Sequence, residues 1–168
     1  MLRVAISGVA GRMGNVLVQA VSAAEDLVLG AAFENDKNPA VGKDLGEVVG
    51  LARLGVTVSD SPLKKIGDFD MVIDFSVPEA TLSLAKICRE HDKAMVIGTT
   101  GFDSGQLEKL RECSEDIPIF ISPNMSLGVN ILFKLVAEAA AAFGQEVDYE
   151  VLEAHHSRKI DAPSGTAV

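Results

Sequence analysis

Cysteine is scarce in this chain. Cys88 and Cys113 are the only two. They form no metal-ligand pattern and read as two reduced thiols of a cytosolic protein. Basic residues are in deficit as well, with 15 Lys and Arg against 24 Asp and Glu and a formal net charge of −9. That balance argues against general nucleic-acid binding and against an anionic membrane surface, so any anionic ligand has to be drawn in by a local site. No apolar run approaches the length of a membrane span. The short apolar run at Met1–Ile6 is interrupted by Gly8 and Arg12 too early for a signal peptide. Internal repeats and low-complexity segments are missing too. The expectation is a soluble, cytoplasmic protein with neither a nucleic-acid nor a membrane partner. Apolar residues are plentiful, 48% of 168, enough for a sizeable core in one domain or one domain plus part of a second.

Strand-like and helix-like segments alternate. Short apolar runs at 2–7, 27–33, 56–60 and 69–76 read as strands, 93–101 as a strand then a turn, and 117–124 as a strand then a loop. Helical spacing at 12–24, 78–91, 103–115 and 126–143 reads as helices, with Pro78 at a favourable first-turn position. The polar stretch from Asn35 to Gly42 reads as loop. Strands that are apolar throughout, each followed by a helix, imply a parallel sheet covered on both faces. The predicted fold is therefore α/β, a Rossmann-type doubly wound sheet. Near residues 124–130 the alternation gives way to one long helix and a predicted strand at 147–154 that alternates Val147, Tyr149 and Val151 with Asp148 and Glu150. This divides the chain into a dinucleotide-binding domain over 1–125 and, over 126–168, the incomplete start of a smaller mixed α/β domain.

Gly8, Gly11 and Gly14 lie between the first strand and the first helix, where a pyrophosphate rests on a helix N-terminus. Their G-x-x-G-x-x-G spacing is not the commoner G-x-G-x-x-G, and the strand–turn–helix context strengthens it. Glu34 ends the second strand, twenty residues past Gly14, where an acid can accept hydrogen bonds from ribose hydroxyls. The segments GTTGF (98–102) and SPNMS (122–126) fall at later strand ends, and ligands of open parallel sheets bind outside such carboxyl ends.

The segment EAHHSRKIDAPSGT gathers His155, His156, Arg158, Lys159 and the Ser164-Gly165-Thr166 turn. Three readings stand side by side. Adjacent residues of an extended chain point to opposite sides, so His155 and His156 do not readily share a metal ion, and no metal is expected. A solvated basic loop is the second reading. The third is an anion site with a proton donor, in which Lys159 supplies positive charge and Ser164, Gly165 and Thr166 offer N–H groups and hydroxyls to a carboxylate.

On GVAGRMG, GTTGF, SPNMSLGVN and EAHHSRKIDAPSGTA, the sequence resembles the dihydrodipicolinate reductase (4-hydroxy-tetrahydrodipicolinate reductase) family of the lysine and diaminopimelate pathway. The last motif is the most specific. The resemblance implies a dinucleotide-binding domain followed by a mixed α/β substrate domain that builds a homotetramer. It implies an oxidoreductase that transfers hydride from NADH or NADPH to the conjugated imine of a small dicarboxylate. Carried over by position, His155 is the general acid/base and Lys159 a proton donor. His156, Ser164, Gly165 and Thr166 hold substrate. Gly8, Val9, Ala10, Gly11, Arg12, Met13, Glu34, Gly98, Thr99, Thr100, Ser122, Pro123, Asn124 and Met125 hold the cofactor.

Two departures matter. Members that use NADPH well often carry arginine directly after the Glu34 position, and here it is Asn35. That leaves Arg12 for a 2′-phosphate and predicts that NADH binds at least as well as NADPH. Members of the family also continue for roughly another hundred residues, about a domain's worth of chain. The expectation is that this chain is truncated and inactive as a reductase by itself. Competing readings are a non-catalytic dinucleotide-binding module and an amino-acid dehydrogenase such as aspartate dehydrogenase.

Overall fold

In a computed structural model, the structure describes residues 1–155, 157 and 162–167. Among these residues the chain forms six strands and five α-helices. The strands are β1 (Leu2–Ser7), β2 (Leu27–Phe33), β3 (Val58–Ser59), β4 (Met71–Asp74), β5 (Ala94–Ile97) and β6 (Ile119–Ile121). The helices are α1 (Arg12–Ala23), α2 (Leu45–Val49), α3 (Pro78–Glu90), α4 (Ser104–Ser114) and α5 (Leu127–Phe143). The chain divides into two compact units, Met1–Ile121 and Ser122–Val168.

All pairings in the first unit's sheet are parallel, and the strand order is β3-β2-β1-β4-β5-β6. Successive side chains of a strand face opposite ways, which explains why Val4, Ala5 and Ile6 of β1 are all apolar. Val4 and Ile6 join a core with Val18 and Val21 of α1, Leu45 and Val49 of α2, and Val58. Ala5, between them, faces the other core, with Phe33, Phe69, Val72, Leu84 and Cys88 of α3, and Leu110 of α4. Phe33 and Phe69 meet edge to face there, centroids 5.6 Å apart. Burial in this core raises the Cys88 thiol to about 12, with Asp74 adding to the shift. The sheet is thus doubly wound, and its 3-2-1-4-5-6 order is that of the Rossmann fold.

Local chemistry sets the helix ends. Pro78 opens α3 as predicted. Asp103 and Gln106 form a reciprocal capping box at the start of α4, at 2.7 and 3.0 Å. The short α2 was not predicted. Its N-cap is Asp44, whose carboxylate accepts the N–H groups of Gly46, Leu54 and Gly55 at 2.8–2.9 Å.

In the second unit α5 is helical over the predicted span, with Lys134 and Glu138 3.9 Å apart on its surface. The predicted strand at 147–154 does not form. A strand is a paired structure, and among the described residues no neighbouring strand pairs with this segment. Instead, the Tyr149 hydroxyl lies 3.1 and 3.2 Å from the carbonyl oxygens of Ala140 and Gly144 at the end of α5.

Candidate functional site

The strand order reverses direction between β1 and β4, the switch point at which open α/β sheets bind ligands. A cavity of about 640 Å³ lies there. Gly8, Ala10 and Gly11 after β1, Glu34 and Asn35 after β2, Asp60 after β3, and Phe75, Ser76 and Val77 after β4 contribute to its lining.

The glycine loop is shaped by backbone conformation at Gly8 and by close packing at Gly14. Gly8 has φ +72°, a left-handed conformation that glycine adopts without strain. A Cβ on Gly14 would lie 2.4 Å from the Gly8 oxygen and 2.5 Å from the Val9 Cα, so α1 packs directly onto the turn. Gly11 is the N-cap of α1, and among the described residues no side chain caps that end. The first-turn N–H groups, with the positive end of the helix dipole, are thereby left to an anion. One loop donor already has an anionic partner: Glu34 Oε2 accepts the Ala10 N–H at 3.0 Å. Val9 is fully buried in the core, so it offers a ligand only its backbone. Arg12 and Met13 are exposed.

Gly98, Thr99 and Thr100 follow β5. Thr100 is exposed, whereas Thr99 is buried and its hydroxyl is turned inward, 3.1 Å from the Asp74 carboxylate. The resemblance assigned all three residues to the cofactor. The structure commits the Thr99 hydroxyl to the protein interior.

The remaining predicted site residues belong to the second unit. Ser122 Oγ donates to the Asn124 carbonyl oxygen at 2.9 Å. Asn124 Oδ1 accepts the Ser126 N–H at 2.9 Å, and Asn124 Nδ2 donates to Thr166 Oγ1 at 3.0 Å. Asn124 therefore ties the 122–126 loop to the Ser164–Thr166 turn. Pro123 and Met125 are exposed. His155 Nε2 lies 2.9 Å from Glu153 Oε2. His156 and Lys159 lie outside the described residues.

Two residues were missed. Glu153 accepts the Ser164 N–H at 2.9 Å, bonds the Ser164 hydroxyl, and meets His155. The Ser164 hydroxyl, then His155 and the Ser164 N–H, hold its carboxyl down to about 2. Asp74, buried at the end of β4, bonds the hydroxyls of Thr81 and Thr99. The only cue in the sequence was an acid near the end of a predicted strand, which names no partner. Among the described residues no group of three potential ligands could hold a metal ion, and no helix is long and apolar enough to cross a membrane.

Comparison with known proteins places this geometry. Residues 2–125 match the family model described as dihydrodipicolinate reductase, N-terminus, and residues 128–168 match the one described as dihydrodipicolinate reductase, C-terminus. The dipicolinate-bound dihydrodipicolinate reductase from Paenisporosarcina sp. TG-14 is 32% identical over 99% of this chain, with a TM-score of 0.77. This chain spans 63% of that chain's length. The WlbA dehydrogenase from Chromobacterium violaceum, in complex with NADH and UDP-GlcNAcA, has a TM-score of 0.65 at 18% identity, over 86% of this chain and 41% of its own. The amine dehydrogenase from Mycobacterium smegmatis has a TM-score of 0.60 at 20% identity, over 71% of this chain and 38% of its own. The last two likenesses bear on the fold alone. With both family models matched along its length, the chain belongs to the dihydrodipicolinate reductase family.

Proposed function

We propose that the protein containing this chain reduces the conjugated imine of dihydrodipicolinate (4-hydroxy-tetrahydrodipicolinate) to tetrahydrodipicolinate, using NADH or NADPH, in lysine and diaminopimelate biosynthesis. The observation that carries this reading is the uncapped glycine loop at the N-terminus of α1, opening on the switch-point cavity, in a chain of this family. The residues fit a dinucleotide. Ala10 already donates its N–H to an anionic oxygen, and Gly14 brings the helix against the turn. A bound nicotinamide cofactor supplies the hydride.

In this reading residues 1–125 are the dinucleotide domain. Gly8–Met13 hold the pyrophosphate, Glu34 the adenosine ribose, and Gly98–Thr100 with Ser122–Met125 the nicotinamide end. Residues 126–168 begin the substrate domain, which in the complete protein builds a homotetramer. Glu34 and Asn35 favour NADH at least as much as NADPH. His155 acts as general acid/base, Lys159 as proton donor, and His156, Ser164, Gly165 and Thr166 hold the dicarboxylate. The dipicolinate in the Paenisporosarcina relative supports a small dicarboxylate substrate. Reduction of a conjugated imine builds negative charge, which a cation such as Lys159 stabilises. A placed proton donor contributes about 10²–10⁴-fold.

The test is steady-state kinetics of the complete protein with enzymatically generated substrate. His155→Ala and Lys159→Ala are expected to lower kcat far more than they weaken cofactor binding. A kcat within about threefold of wild type in both, a change under ~1 kcal/mol, removes them from the chemistry. A non-catalytic dinucleotide-binding module would bind cofactor and give no turnover.

A further inference from the structure

The dinucleotide reading gives no task to one buried acid. Asp74 and Thr81 are fully buried, and Thr99 is 4% exposed. The hydroxyls of Thr81 and Thr99 both reach Asp74 Oδ2, and they lie 3.1 Å from each other. Thr99 Oγ1 also accepts the backbone N–H of Ser76 at 2.9 Å. The main chain adds a parallel tie, because Gly98 N–H donates to the Asp74 carbonyl oxygen at 2.9 Å. A Cβ on Gly98 would fall 2.1 Å from the Phe75 ring, so the two loops are also in direct contact. The loop after β4 is thus tied directly to the turn after β5, and the Asp74 carboxyl holds Thr99, the residue that accepts the Ser76 N–H, together with Thr81. The fastened loop carries Phe75, Ser76 and Val77, which line the cavity.

This arrangement is a poor way to gain stability. Among the described residues Asp74 Oδ1 is buried without a hydrogen-bond partner, and an unsatisfied buried acceptor costs about 1–3 kcal/mol. Local rules broken beside a ligand cavity mark function rather than packing.

We propose that Asp74 is a positioning residue of the dinucleotide crevice. Acting through Thr81 and Thr99, it fixes Phe75–Val77 relative to Gly98–Thr100, so that the backbone facing the cofactor is ordered before the cofactor arrives. This rests on the dinucleotide reading above. Ordering the loops in advance removes an entropic cost from binding.

Thr81 gives the cleanest test, because it touches Asp74 and does not line the cavity. Thr81→Val removes the hydroxyl at nearly constant volume, and Thr81→Ser keeps it. Two quantities are read: amide hydrogen exchange at Ser76 in the ligand-free chain, and NADH affinity by fluorescence titration. For Thr81→Val we expect exchange at Ser76 at least about tenfold faster and NADH affinity about tenfold weaker, the scale of one buried hydrogen bond. Thr81→Ser restores both to within about twofold. If Thr81→Val does not fold, Asp74→Asn, which keeps the shape and replaces one carboxyl oxygen with an NH₂ group, is expected to move both readouts the same way. Variants that bind NADH like a binding-competent wild type, or that leave Ser76 exchange unchanged, overturn the positioning role alone. A folded wild type that binds no dinucleotide overturns the reading beneath it, whatever the exchange data show.

Discussion

Glu34 Oε2 accepts a hydrogen bond from the backbone N–H of Ala10 at 3.0 Å, while its other oxygen accepts the N–H of Asn35 at 2.9 Å. The acid that ends β2 is thus held against the loop at the start of α1, inside the same cavity. Its charge sits where the adenosine ribose of a dinucleotide is expected, and the exposed Asn35 brings no cation to offset it.

In the proposed cofactor pose a 2′-phosphate would meet repulsion at this end of the cavity. Asn35→Arg is expected to shift preference from NADH toward NADPH by about 1–2 kcal/mol, one charge-assisted hydrogen bond. Paired titrations with the two cofactors read the shift. A wild type that already favours NADPH tenfold would contradict the role given to Glu34 and Asn35.

Gly11 and Gly14 are expected to fail differently when substituted. A Cβ at Gly11 meets only the Gly8 oxygen, at 3.1 Å, whereas one at Gly14 would lie 2.4–2.7 Å from three backbone atoms. Gly11→Val should fold and lose NADH binding, because its branched side chain stands where phosphate approaches. Gly14→Ala should lose about 1–3 kcal/mol of stability, the usual cost of overpacking. Thermal melts and NADH titrations on both separate the effects. A Gly14→Ala protein as stable as wild type would show that α1 does not need its close approach.

The parts of this fold that were legible in the sequence are those set by local pattern. Val4–Ile6 of β1 are apolar on both faces because helices cover both, and Pro78 fits a first helical turn. Five-residue α2 is too short to show a helical period, and its cap, Asp44, is recognisable only once Leu54 and Gly55 have folded back onto it. The alternation at 147–154 is a strand signal, but a strand also needs a partner. Glu153 with Ser164, and Asp74 with Thr99, join residues 11 and 25 positions apart. Such pairings are created by topology and leave no periodic trace.

The second unit should show a pH dependence centred on Glu153. The partners of its carboxyl lower it from 4.5 to about 2, the Ser164 hydroxyl most, then His155 and the Ser164 N–H. A depressed folded-state value means stability that is fully present above about 4.5 and lost as pH falls through about 2. The Ser164 amide resonance should titrate in that low range, and Glu153→Gln should abolish the titration. A midpoint near 4.5 would mean that the carboxylate does not hold the turn.

Titration of this 168-residue chain with NADH, followed by nicotinamide fluorescence, bears most directly on whether the glycine loop and the switch-point cavity form a dinucleotide site. We expect saturable binding of one NADH per chain, competition by NAD⁺, and loss of binding in a folded Gly11→Val variant. No saturation up to about 1 mM, a binding free energy weaker than about −4 kcal/mol, or equal affinity in Gly11→Val, would contradict the assignment.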